Sequence, residues 1–118
     1  MRRTALTAMV PLLILLATGD ASAHASLDHA EPRVGNTVAT APREVTLWFT
    51  QKLETAFSTI TVTNSAGQRV DTGKTRVSGN RMAISLRPTG AGTYRVKWRV
   101  LSVDTHRADG DFTFKVSP

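Results

Sequence analysis

The chain has 118 residues, 41% of them hydrophobic, and no cysteine, which excludes disulfides, a lipoprotein anchor, thiolate metal sites and a blue-copper centre. Lys and Arg number 15 against 9 Asp and Glu, a formal charge of +6. That balance reads as a solvated basic surface and not as a nucleic-acid interface, because no Lys/Arg run and no aromatic stacking motif accompanies it.

The first element in chain order is an export signal. Basic Arg2-Arg3, the apolar run 6–17 and the small-residue segment Ala21-Ser22-Ala23 follow the layout of a secretory leader. The apolar run is shorter than the roughly 20 residues that span a bilayer. No bulky apolar residue follows the arginine pair closely enough for a twin-arginine signal, so ordinary secretion is expected. Small-residue pairs also permit cleavage after Ala21 or after Ala25, and the latter would discard His24. With Ala-x-Ala directly before His24, cleavage is assigned after Ala23. The chain then divides into a signal peptide, 1–23, and one domain, 24–118. The leader removes Arg2, Arg3 and Asp20, leaving a formal charge of +5.

Beyond the leader the hydrophobic pattern has period two, the signature of strands half-buried against a core. Val45, Leu47 and Phe49 alternate with Thr46, Trp48 and Thr50, and Ile60 and Val62 alternate with threonines. Met82, Ile84 and Leu86 share a face, with Met82 read as core filling. From 93 to 100, Tyr94, Val96, Trp98 and Val100 point one way and Arg95, Lys97 and Arg99 the other. Phe112, Phe114 and Val116 form the last inward row. Turn signals fall at 32–35, 64–67, 79–80, 89–92 and at Asp109-Gly110. One helical turn fits within 52–57. The expected fold is all-β: a small antiparallel β-sandwich of about seven strands, immunoglobulin-like or cupredoxin-like. Trp98 and Tyr94 are expected in the core; Trp48, on a polar face, covers an edge or marks a partner surface.

Three histidines occur: His24, His29 and His106. At a mature N-terminus His24 is a chelate, since its α-amine titrates near 7.7–8.0 and its imidazole near 6.5, about 10.4 being the value for lysine. Asp104 and His106 are two apart, so an extended backbone would send both side chains to one face. Asp-x-His alone is a weak signal that more often marks a turn contact or a solvated face. Joined to an N-terminal histidine, it completes a nitrogen-rich donor set. In a roughly square arrangement such a set suits Cu(II) over Ni(II), whereas Zn(II) prefers a tetrahedron.

The start His24-Ala25-x-Leu27, then Pro32-x-x-Gly35 and Val45-x-Leu47-x-Phe49, lead to a long closing block. That block runs Gly92-Thr93-Tyr94-x-Val96-x-Trp98-Arg99, Ser102-x-Asp104-x-His106 and Gly110-x-Phe112-x-Phe114-x-Val116. In these motifs the mature sequence resembles the CopC family of periplasmic copper-resistance proteins. The resemblance implies a Cu(II) site made by His24, through amine and ring, with Asp104 and His106. It also implies a periplasmic location and a CopD-type inner-membrane copper protein as partner. A glutamate that some members place near the metal is Gln51 here, at best an outer neighbour. The methionine-rich loop of other members is missing, which argues against a separate Cu(I) site. His29 matches no ligand of the family.

The function expected is therefore that of a monomeric, non-enzymatic carrier that sequesters or delivers copper. Two other classes compete with it. A small copper oxygenase also uses an N-terminal histidine, but this chain is short and lacks a flat aromatic surface for polysaccharide. A metal-free immunoglobulin-like module would be indifferent to copper.

Overall fold

The structure, a computed structural model, describes residues 26–118; the expected leader and His24 lie outside them. Among the described residues eight strands build two four-stranded sheets. One sheet, in the order β1-β3-β6-β5, contains β1 (Leu27–Glu31), β3 (Glu44–Phe49), β6 (Arg81–Leu86) and β5 (Asp71–Ser78). The other, in the order β2-β8-β7-β4, contains β2 (Thr37–Val38), β8 (Arg107–Val116), β7 (Gly92–Leu101) and β4 (Thr59–Thr63). All pairings are antiparallel except the short parallel contact of β2 with β8. A 3-10 helix, Thr55–Phe57, lies within the expected helical turn.

The inward rows read from the sequence form the core. Val45, Leu47 and Phe49 face Ile60, Val62, Val96, Phe112 and Phe114, and all of these are buried. Burial of a large apolar side chain contributes about 1.5–3 kcal/mol, and without covalent staples these residues carry the fold. Met82 is buried among them, as expected of a filler.

Three departures have clear causes. Asp109-Gly110 is not a turn but lies inside β8, where Gly110 pairs with Trp98. A Cβ at Gly110 would stand 2.6 Å from Trp98 Cζ2, so glycine here makes room for an indole, not for a reversal. Trp98 itself is half-buried; it meets Phe49 edge-on, ring centroids 5.0 Å apart, at the margin of the core. The third is β5, which carries no apolar alternation because it is an edge strand. Its register is interrupted between Asp71 and Thr75, where Gly73 takes a φ of +86°.

Edge strand β4 is closed by a short backbone bridge to Arg69-Val70 and by side chains, not by a further full strand. The Ile60 N–H donates to Thr75 Oγ1 at 3.1 Å and the Val62 N–H to Asp71 Oδ2 at 2.7 Å. These bonds join one sheet to the other and occupy donors that an unprotected edge would offer to a second chain.

Candidate metal centre

β7 and β8 are the longest strands, and the loop between them, 102–106, holds Asp104 and His106. Their meeting does not come from strand alternation. The Ser102 N–H donates to the His106 carbonyl at 2.9 Å and the Thr105 N–H to the Ser102 carbonyl at 2.8 Å, which closes a tight turn. Thr105 lies in the left-handed region at φ +73°, a conformation that costs a β-branched residue and is held only where its surroundings demand it. Asp104 and His106 flank it. His106 Nδ1 stands 3.2 Å from Asp104 Oδ1, and both side chains are about half exposed.

Ser102 is the pivot of this loop. It is fully buried, and its hydroxyl donates to Asp104 Oδ1 while accepting the His106 N–H at 3.3 Å. The Ser102 hydroxyl, followed by the His106 ring, holds the Asp104 carboxyl below its ordinary value. An ionised carboxylate facing an imidazole nitrogen is a pair of donors that a cation can share.

The loop is fixed to a second segment. Val103 N–H donates to the Lys52 carbonyl at 3.0 Å, Leu53 bridges Ser102, and Glu54 N–H donates to the Leu101 carbonyl at 2.8 Å. Two residues before Lys52, Thr50 grips the start of the described chain. The Ser26 N–H donates to Thr50 Oγ1 at 3.1 Å, and the Thr50 N–H donates to the Ser26 carbonyl at 3.0 Å. Segment 50–54 thus joins the beginning of β1 to loop 102–106. Neither Ser102 nor Thr50 is recognisable as a site residue from sequence alone. The signal for Ser102 was its place at the head of Ser-x-Asp-x-His; nothing local marks Thr50.

His29 is engaged elsewhere. Its Nδ1 lies 2.7 Å from Asp28 Oδ2, and its ring stacks on Trp48 with centroids 4.3 Å apart and planes 8° from parallel. This stack explains the aromatic on the polar face of β3: Trp48 covers the edge strand. Gln51 is half-exposed between Thr50 and Lys52. Among the described residues, no three His, Asp or Glu side chains gather to hold a metal ion.

The CopC domain matches residues 27–117. The chain belongs to the CopC family. Across 92% of its length it is 36% identical to the protein YobA of Escherichia coli K12, covering 91% of that relative. It is 32% identical to copper resistance protein C of Xanthomonas campestris pv. juglandis, with 97% of this chain and 96% of that one aligned. Among solved structures, CopC from Methylosinus trichosporium OB3b superposes with a TM-score of 0.76 at 32% identity, over 80% of this chain and 95% of that one. A β-sandwich in a copper-resistance family is thus what fold and sequence agree on. In this CopC chain, Asp104 and His106 come together in loop 102–106, and His29 does not join them.

Proposed function

We propose that this CopC protein is exported to the periplasm, is processed to begin at His24, and carries Cu(II) without catalysing a reaction of its own. In this reading His24 supplies its amine and ring, Asp104 a carboxylate oxygen and His106 an imidazole nitrogen. Copper is the cargo, and a CopD-type inner-membrane protein is its recipient. The observation that carries the reading is the path from Ser26 through Thr50 and Lys52 to Val103, which tethers the start of β1 beside the Asp104–His106 pair. His24 is two residues from Ser26, at most about 7 Å along extended chain, and this short separation supports an N-terminal chelate as the donor that joins the pair. The donor chemistry supports the ion. Nitrogen and carboxylate donors without sulfur favour Cu(II) over Cu(I).

The decisive experiment alters the amine alone. One extra residue ahead of His24 converts that amine to an amide, and Cu(II) affinity is expected to fall more than about 100-fold, beyond the 10–100-fold typical of changes outside the ligand shell. Unchanged affinity and an unchanged Cu(II) spectrum in the extended protein would place the metal elsewhere.

A further inference from the structure

Large apolar side chains are mostly hidden among the described residues; the exposed ones are Val34, Phe57 and Val103. Two of these three stand at the same end of the sandwich. Val103 is in loop 102–106, and Phe57, 64% exposed, ends the 3-10 helix Thr55–Phe57 beside it. Phe57 is not on a loose loop. The Glu54 N–H donates to the Leu101 carbonyl at 2.8 Å and the Leu101 N–H to Ser58 Oγ at 3.3 Å, so the turn is fastened on both sides to the last residue of β7. An aromatic ring held in water on a fastened turn has no use in the core.

Phe57 forms one wall of a groove of about 280 Å³ whose other lining residues are Thr59, Arg99, Val100, Leu101 and Arg107. Leu101 and Arg107 directly flank the loop that bears Asp104 and His106. Among the described residues no carboxylate lines the groove itself, although Thr59 and Arg99 also border an adjoining hollow that holds Asp109 and Asp111. Among the described residues neither Arg99 nor Arg107 is in an ion pair, although Asp109 lies opposite Arg99 in register and Glu54 and Asp104 are on neighbouring segments. The Asp111 carboxylate is taken by Arg95 at 2.5 Å.

We infer that this groove docks the protein that exchanges copper with the chain, and that the docking segment carries a carboxylate beside a bulky apolar side chain. The inference rests on the copper reading for its purpose, but the groove stands on its own geometry. At about 280 Å³ the groove has room for one or two anchoring side chains. Guanidinium groups without partners select a carboxylate, which they can bind bidentately, and Phe57 with Leu101 offers the apolar contact that such an anchor needs. Because the groove is concave, it fits a protruding side chain better than the flat face of a bilayer. A partner seated there would lie over loop 102–106, next to the proposed ligands.

The test uses the purified protein without copper and two fluorescent peptides as probes, one with a repeated Leu-Glu-Phe-Glu sequence and one with Leu-Lys-Phe-Lys. Anisotropy should show binding of the acidic peptide only. Phe57→Ser and Arg99→Gln should each weaken it about tenfold, while Lys74→Gln on β5, which removes the same charge from a strand that does not line the groove, should leave it within twofold. Equal effects of Arg99→Gln and Lys74→Gln would reduce the attraction to net charge, and wild-type binding by Phe57→Ser would remove the groove from it; either result overturns the inference. So does binding to phosphatidylglycerol vesicles that is stronger than peptide binding and equally sensitive to Phe57→Ser, which would make the surface a membrane contact. Copper affinity is titrated separately on the same proteins, so failure of the metal reading is seen independently of docking.

Discussion

Two aspartates in this protein have a basic partner two residues away, and the fold treats them in opposite ways. Asp71, with Arg69 before it, has a side chain with no exposed surface and accepts from four donors. Val62 N–H binds Oδ2 at 2.7 Å, Gly73 N–H binds Oδ1 at 2.8 Å, and the Arg69 guanidinium reaches both oxygens. Burial pushes the Asp71 carboxyl up, but the Arg69 hydrogen bond, the Val62 N–H, the Arg69 charge and the Gly73 N–H together outweigh it and hold the group below its ordinary value. Asp104, with His106 after it, is half open to solvent and has Ser102 and His106 as its partners. A saturated carboxylate has no lone pair to give a metal. An open one that already faces an imidazole can exchange that contact for an ion, and this difference separates a structural clamp from a candidate ligand.

The sharpest way to break the comparison is to remove the clamp. Asp71→Ala strands the buried Val62 N–H and removes one of the two side-chain bonds that join the sheets at β4, and the loss should be about 3 kcal/mol, the cost of unmaking hydrogen bonds to a buried charge and leaving a buried donor unsatisfied. For a domain of this size that corresponds to a fall in Tm of more than about 10 °C. Wherever the variant remains folded, its Cu(II) affinity should match that of the wild type. Thermal melts and a copper titration on the same sample check both halves, and a large affinity loss in folded Asp71→Ala would merge the two stations into one.

The converse variant is His106→Ala. Its side chain is half exposed and supports little of the core, so the metal-free Tm should move by no more than a few degrees, while Cu(II) affinity should drop more than about 100-fold. His29→Ala is the control. It removes a ring of similar exposure that leans on Asp28 and Trp48, and it should cost copper affinity less than threefold. Equal losses from His106→Ala and His29→Ala in the same competition assay would sink the ligand assignment.

How far the sequence could anticipate these stations depends on the range of the interactions. The strands around Val45, Ile60, Tyr94 and Phe112 were legible because period-two burial is written in neighbouring residues. The pairing of Asp104 with His106 was also within reach, although by a different geometry: alternation along an extended strand was expected, and a turn with Thr105 in a left-handed conformation does it instead. Gly110 read as a turn residue because only its cross-strand partner Trp98 explains it. Asp71 and Thr75 are not legible in the sequence, since each serves the backbone of a strand 9 to 15 residues away and no local pattern encodes that. The tie of Ser26 to Thr50 spans 24 residues and was equally invisible.

The smallest effects expected are those of pH, and they distinguish the stations once more. Both carboxyls are held below their ordinary values in the fold. Each therefore contributes stability that is fully present above the unfolded carboxyl range, near 3.9, and is lost as pH falls through the lowered folded value. In the metal-free protein Asp71→Asn should flatten this acid limb visibly, whereas Asp104→Asn should alter it only slightly, because water screens an exposed group. Copper adds a dependence at much higher pH. Bound at a hundredfold excess over Kd, it should stabilise the fold by about 2.7 kcal/mol. That gain must fade as pH falls, because protons compete with the ion for the amine and ring nitrogens that hold it. Melts with and without Cu(II) between about pH 5 and 8 should therefore converge toward the acid end. A copper-induced shift that persists undiminished at pH 5 would mean that carboxylates hold the metal, and Asp104 would then be acting without His24 and His106.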